Sequence, residues 1–101
     1  MKKMYIVVFN SGSPNWSNDA AANRFFTKYT LVHLNDLLKV RGHVFLRDAL
    51  ERFGIPITRE SIIGGWVYPE HDRVVLSYHT IGDGPDVKLT FAFEEDILDK
   101  L

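Results

Sequence analysis

Hydrophobic positions along this chain fall into three regimes. From Met4 to Phe9 they are nearly unbroken and mostly β-branched or aromatic, which suits a pleated, largely buried strand. From Ala22 to Val40 they return at three- and four-residue steps, through Phe25, Phe26, Tyr29, Val32 and Leu37, which is the period of a helix with one apolar stripe. From Trp66 onward the period drops to two, as in strands with one face on a core.

Turn residues mark the boundaries. Asn10 to Asn15 is dense in Ser, Gly, Pro and Asn and reads as a loop. The long helix is expected to start near Ser17, whose hydroxyl can accept an orphan backbone N–H, with Asp19 placing negative charge on the positive helix end. Trp16 sits just before that start. Gly42 is a natural stop, and His43-Val44-Phe45 reads as a short extended link.

Leu46, Ala49, Leu50 and Phe53 then form a second, shorter stripe, ended by Gly54 and Pro56. Thr58 can cap a helix of one or two turns over Arg59 to Ile63, closed by Gly64-Gly65. Strands are predicted at Trp66–Tyr68, Val74–Thr80 and Val87–Phe93, with turns between them. In the last strand Leu89, Phe91 and Phe93 share one face, and Lys88 and Thr90 the other. Ile97, Leu98 and Leu101 are expected to tuck a short tail back.

Helices grouped beside strands give an α+β, two-layer fold: an N-terminal strand, two to three central helices, then three antiparallel strands. The expected core joins Phe25, Tyr29, Val32 and Leu37 of the long helix to Leu46, Leu50 and Phe53 of the next. Trp66, Leu89 and Phe91 complete it from the strands.

Length and composition add bounds. One hundred and one residues make a single domain, 1–101, of ordinary apolar content at 46%. Lack of cysteine excludes disulfides, thiolate metal sites and cysteine nucleophiles. The longest apolar run is too short to cross a bilayer, so no membrane partner is expected and the host cytoplasm is the expected location. Net charge is −1, but Lys and Arg outnumber Asp and Glu seven to three in residues 1–50 and are outnumbered ten to five in 51–101. That asymmetry marks either a binding face or, the favoured reading, two solvated surfaces that partly compensate each other.

Little in the sequence points to catalysis. The four histidines lack ligand spacing: His71 and His79 are separated by most of a strand, and His33 and His43 straddle a helix end. His71-Asp72 alone is a two-residue match to a metal-hydrolase pair. The acidic tail Glu94, Glu95, Asp96 and Asp99 has no glycine of a calcium loop. No nucleophile elbow, phosphate loop or dinucleotide glycine pattern occurs. No catalytic residue, metal ligand or cofactor is therefore assigned, and an enzyme would need a pocket joining residues distant in sequence.

A nucleic-acid module is the main competing reading. Leu46 to Gly65 reads helix, glycine turn, helix, and Trp66 to Thr80 can follow as a wing, in the manner of winged helices. Arg41, Arg47, Arg52 and Arg59 accompany it. Four-residue spacing pairs Arg47 with Glu51 and Arg52 with Asp48, which leaves few free cations for phosphate.

An ordered set of short pieces resembles a known family. They are Ser13-Pro14-Asn15-Trp16 with Asp19, Asn23 and Phe26, then Asn35-Asp36-Leu37 and Arg41-Gly42-His43-Val44-Phe45-Leu46. Gly54-Ile55-Pro56 with Thr58, Gly65-Trp66-Val67-Tyr68, Leu89 with Phe91, and Asp99-Lys100 follow. Together they resemble the C-terminal domain of an uncharacterised family encoded by tailed bacteriophages and prophages. The resemblance implies a phage origin and assigns no activity. Members of that family carry a longer N-terminal half with an apolar segment and a longer stretch between Tyr68 and Val87, so a membrane-dependent role is not expected here. The leading expectation is a small accessory protein that binds another protein, from host or phage, with Trp16, Arg41 and Arg59 as candidate contacts. Self-association is left open.

Overall fold

The N-terminal hydrophobic run forms strand β1 (Lys2–Phe9) in the computed structural model, which describes Lys2 to Leu101. Helix α1 (Ala20–Arg41) follows, then β2 (His43–Phe45), α2 (Leu46–Phe53), α3 (Arg59–Ile63), β3 (Gly65–Val67), β4 (Val75–Thr80) and β5 (Val87–Glu94). A single 3₁₀ turn at Leu98–Lys100 closes the chain. The five strands make one antiparallel sheet, and the helices pack against it, so the fold is α+β with an N-terminal strand, a long helix and short ones.

The central strand is β5. It pairs with β1 along its whole length, Val7 opposite Leu89 and Tyr5 opposite Phe91. On its other side it pairs with β4, Tyr78 opposite Leu89 and Leu76 opposite Phe91, and touches β3 where Gly65 meets Glu94. β3 also pairs with β2, Val44 opposite Trp66. The segment expected as an extended link is therefore a strand. The expected wing is not there: β3 pairs with β2 and β5, and β4 pairs with β5, so Trp66 to Thr80 is no hairpin. A winged-helix architecture is thereby removed.

Alternation along β5 puts Val87, Leu89, Phe91 and Phe93 on the helix side, all buried, as the sequence predicts. Phe9 packs on them with Phe26 and Phe53, ring centroids 5.4 to 5.6 Å apart. Trp66 is fully enclosed, and its indole N–H donates to the Ala92 carbonyl at 2.9 Å, which satisfies its only polar atom. On the opposite sheet face Met4 and Ile6 stand exposed beside Lys88 and Thr90. Of the tail, Ile97 is buried, whereas Leu98 and Leu101 are exposed.

Helix α1 departs furthest from expectation. It starts at Ala20, not near Ser17, because the Asp19 carboxylate accepts the N–H groups of Ala21 and Ala22. Its core-facing stripe is Asn23, Thr27, Thr30, Leu34 and Leu38. Asn23 and Thr27 survive burial because they are bonded. Asn23 donates to the carbonyls of Ser17 and Pro85 and accepts from the Ser17 N–H, and the Thr27 hydroxyl donates to the Asn23 carbonyl. The expected core residues Phe25, Tyr29 and Val32 lie on the outer face, 60%, 59% and 50% exposed, and Leu37 is half-buried. A helix turned by half a revolution brings its bonded polar stripe inward and its apolar stripe outward.

Candidate functional site

That inversion creates the most distinctive surface of the molecule. Phe25, Tyr29 and Val32 sit four and three residues apart, so they stack along one helix face. Phe25 and Tyr29 meet edge to face, centroids 4.4 Å apart. Val40, two turns further, is also exposed. Tyr29 forms a ridge between two clefts. One, of 180 Å³, is lined by Phe25, Lys28, Tyr29 and Val32. The other, of 540 Å³, runs between α1 and α2 and is lined by Phe26, Thr30, His33, Glu51 and Arg52, with Asn15 at its end.

Cations rim this face. Arg24, Lys28 and Lys39 lie along one side of the stripe by helical spacing, and none makes an ion pair among the described residues. On the other side the Arg52 guanidinium donates to the Nε2 atom of His33 at 2.5 Å. A guanidinium donates only, so His33 accepts there and carries its proton on Nδ1. The larger cleft does hold a histidine and a carboxylate, the pairing an enzyme would need. The His33 Nε2 lone pair is occupied by Arg52, and no bond joins His33 to Glu51 among the described residues.

The sequence-derived contacts are placed separately. Trp16 is half-buried against the edge of the core, with its indole N–H enclosed. Arg41 closes α1 and is held by Asp48 at 2.7 Å and by the His43 carbonyl. Arg59 is exposed as the first residue of α3. No hydrogen bond or ion pair links any two of the three among the described residues. The expected pairings Arg47–Glu51 and Arg52–Asp48 do not form. Asp48 instead caps α2 by accepting the Phe45 N–H and the Arg41 guanidinium, Arg47 lies over the Phe45 ring, and Arg52 turns to His33.

A second cluster escaped sequence reasoning because it depends on β3 meeting β5. Side-chain atoms of Glu70, His71 and Glu94 lie within 4.8 Å of one another. His71 Nδ1 lies 3.0 Å from the Val67 nitrogen and 3.1 Å from the Val67 oxygen, so it accepts from the one or donates to the other according to its tautomer. Its Nε2 faces both carboxylates at 3.7 Å. Lys100 supplies the cation, 2.6 Å from Glu70. These groups tie the terminal turn to the β3–β4 connection.

Their hydrogen bond shifts both partners. Lys100 holds the Glu70 carboxyl below its ordinary value, and Glu70 holds the Lys100 ammonium above its own. A lowered carboxyl contributes stability above its unfolded value and loses it as pH falls through the folded one; a raised ammonium loses its contribution only as pH rises through the folded one. Both groups are exposed, so the effect is small. Lys100→Ala should lower the denaturation midpoint slightly at pH 7, and that difference should fade as acid protonates the Glu70 carboxyl, which urea titrations at several pH values will check.

What fold and surface define is an antiparallel sheet with its helices packed against it, carrying an apolar, cation-rimmed helix face. The chain belongs to a family of unknown function, DUF6353, whose profile matches residues 1–100. Neither a curated protein nor a solved structure matches it. Among the described residues, no helix is long and apolar enough to cross a membrane.

Proposed function

We propose that this domain is a small accessory protein of phage type that works by binding another protein, with the outer face of α1 as its contact surface. One observation carries the reading: α1 buries Asn23, Thr27 and Thr30 while it leaves Phe25, Tyr29 and Val32 in water. Each such side chain, half exposed, forgoes roughly half of the about 1.5–3 kcal/mol of full burial, and a partner that covers them recovers it. Contiguous exposed apolar surface with a polar rim is the usual mark of an interaction site. Interference with a host or defence protein is one form of the role, and a part in virion assembly is another.

Affinity capture from infected and uninfected host lysates tests it, with wild type beside a Phe25→Ser/Tyr29→Ser variant. The expected result is a protein retained by the wild type and reduced at least about tenfold by the variant, since two central anchors of a contact commonly cost more than 1 kcal/mol each. Equal retention by both chains, or no retained protein, counts against the reading.

A further inference from the structure

The charge around the stripe says what kind of protein fits it. The adjoining apolar positions Phe25, Tyr29 and Val32 span about 10 Å of helix at ~1.5 Å per residue, two turns of a facing helix, and Asp36 follows on the same face before Val40. Arg24, Lys28 and Lys39 flank them on one side and the Arg52–His33 pair on the other, against Asp36 and Glu51. Arg52 has no carboxylate within ion-pair distance among the described residues, and its guanidinium faces an open cleft. A guanidinium so placed takes a carboxylate in a two-pronged bond.

We infer that α1 receives an acidic amphipathic helix from another protein: its apolar stripe lies along Phe25, Tyr29 and Val32, and its Glu or Asp residues meet Lys28 and Arg52 on either side. The inference rests on the reading of this face as the contact surface and adds the partner's chemistry. An apolar side chain seats in the cleft between Phe25, Lys28 and Val32, and a carboxylate enters the cleft beside Arg52 and His33. A second copy of this chain fits poorly. Antiparallel pairing of two α1 faces sets Arg24, Lys28 and Lys39 against the same residues, and parallel pairing sets them against Arg52. Cations meet cations in both. Duplex nucleic acid would accept the charge, but it offers nothing to cover three adjoining apolar side chains.

The probe is a designed helix of about five turns with leucines at i, i+4, i+7 and i+11 and glutamates flanking them, beside a twin with lysines instead. Binding to the full chain is read by fluorescence anisotropy. The glutamate peptide should bind at least about tenfold tighter than its twin at low salt, and the gap should narrow as salt rises. Lys28→Glu should remove that preference, and Phe25→Ser should weaken the glutamate peptide about tenfold. Both positions are exposed, so unchanged thermal melting shows the variants are folded. If both peptides bind equally, the acidic partner is wrong while the apolar face stands. If neither binds but the Phe25→Ser/Tyr29→Ser variant still releases a captured protein, the helix chemistry fails and the surface survives. If neither binds and nothing is released, both readings fall. Tighter binding of a DNA duplex, or a wild-type dimer dispersed by Phe25→Ser in sedimentation, also overturns the inference.

Discussion

Gly65→Ala is expected to be the most damaging single methyl group that can be added to this protein. A Cβ at position 65 would sit 2.1 Å from the Val44 carbonyl oxygen and 2.8 Å from the Phe45 Cα. Both are backbone atoms of β2, so no rotamer change relieves the clash. The strands must separate, and with them goes the contact where Gly65 meets Glu94 on β5. The cost should exceed about 4 kcal/mol, a large share of the about 5–15 kcal/mol that holds a domain of this size. Gly82→Ala is the control. Gly82 has φ 56° but open space around it, so alanine there pays only for the left-handed backbone, about 1 kcal/mol. Urea denaturation followed by circular dichroism separates the two, and a Gly65→Ala midpoint near that of wild type would mean β2 and β3 are not paired as described.

Phe53→Ala should cost about 3–5 kcal/mol. The ring is fully buried at the centre of an aromatic cluster, 5.4 Å from Phe9, 5.6 Å from Phe26 and 6.4 Å from Phe91. Removing it opens a cavity shared by β1, α1, α2 and β5, and residues from four elements cannot all close in. The same truncation at Phe25 should cost under about 0.5 kcal/mol, because that ring is already in water and touches mainly Tyr29. Lys88→Ala, on the outer sheet face, should be equally mild. The Phe53 and Phe25 pair is the sharper comparison, since the sequence alone ranks the two rings alike. Similar midpoints for Phe53→Ala and Phe25→Ala would place the outer face of α1 in the core after all.

That comparison shows where the sequence is informative. In α2 the apolar positions Leu46, Ala49, Leu50 and Phe53 make one stripe and nothing competes with it, so the reading and the structure agree. In β5 a period of two leaves only one choice of face. In α1 two stripes compete. The apolar one is real, but the buried one is built from Asn23, Thr27 and Thr30, whose partners include Pro85 on a distant loop. Hydrophobicity ranks an asparagine as exposed until its hydrogen bonds are known, and those bonds are tertiary. The candidate surface was thus visible residue by residue and assigned to the wrong side. Its basic rim was half visible: Lys28 follows from helical spacing, but Arg52 joins it only because α2 lies against α1. Sheet order was hidden for the same reason, since the single Gly65 to Glu94 contact that joins β3 to β5 leaves no periodic trace.

The pairing of the first strand with the last has a consequence for how the chain is made. β1 emerges from the ribosome long before β5, and Val7 must wait for Leu89. At about 5–20 residues per second, that interval is on the order of ten seconds, in which Ile6, Val7, Val8 and Phe9 have no strand to bond to. The sheet on which α1 and α2 pack is incomplete in the meantime, because β4 and β5 are made last. During synthesis β1 is therefore an unpaired hydrophobic strand, and the native sheet closes only after Val87 to Glu94 have cleared the exit tunnel. Chain stalled before Val87 should be sensitive to protease and to holding chaperones, and release of the last strand should end that sensitivity in one step.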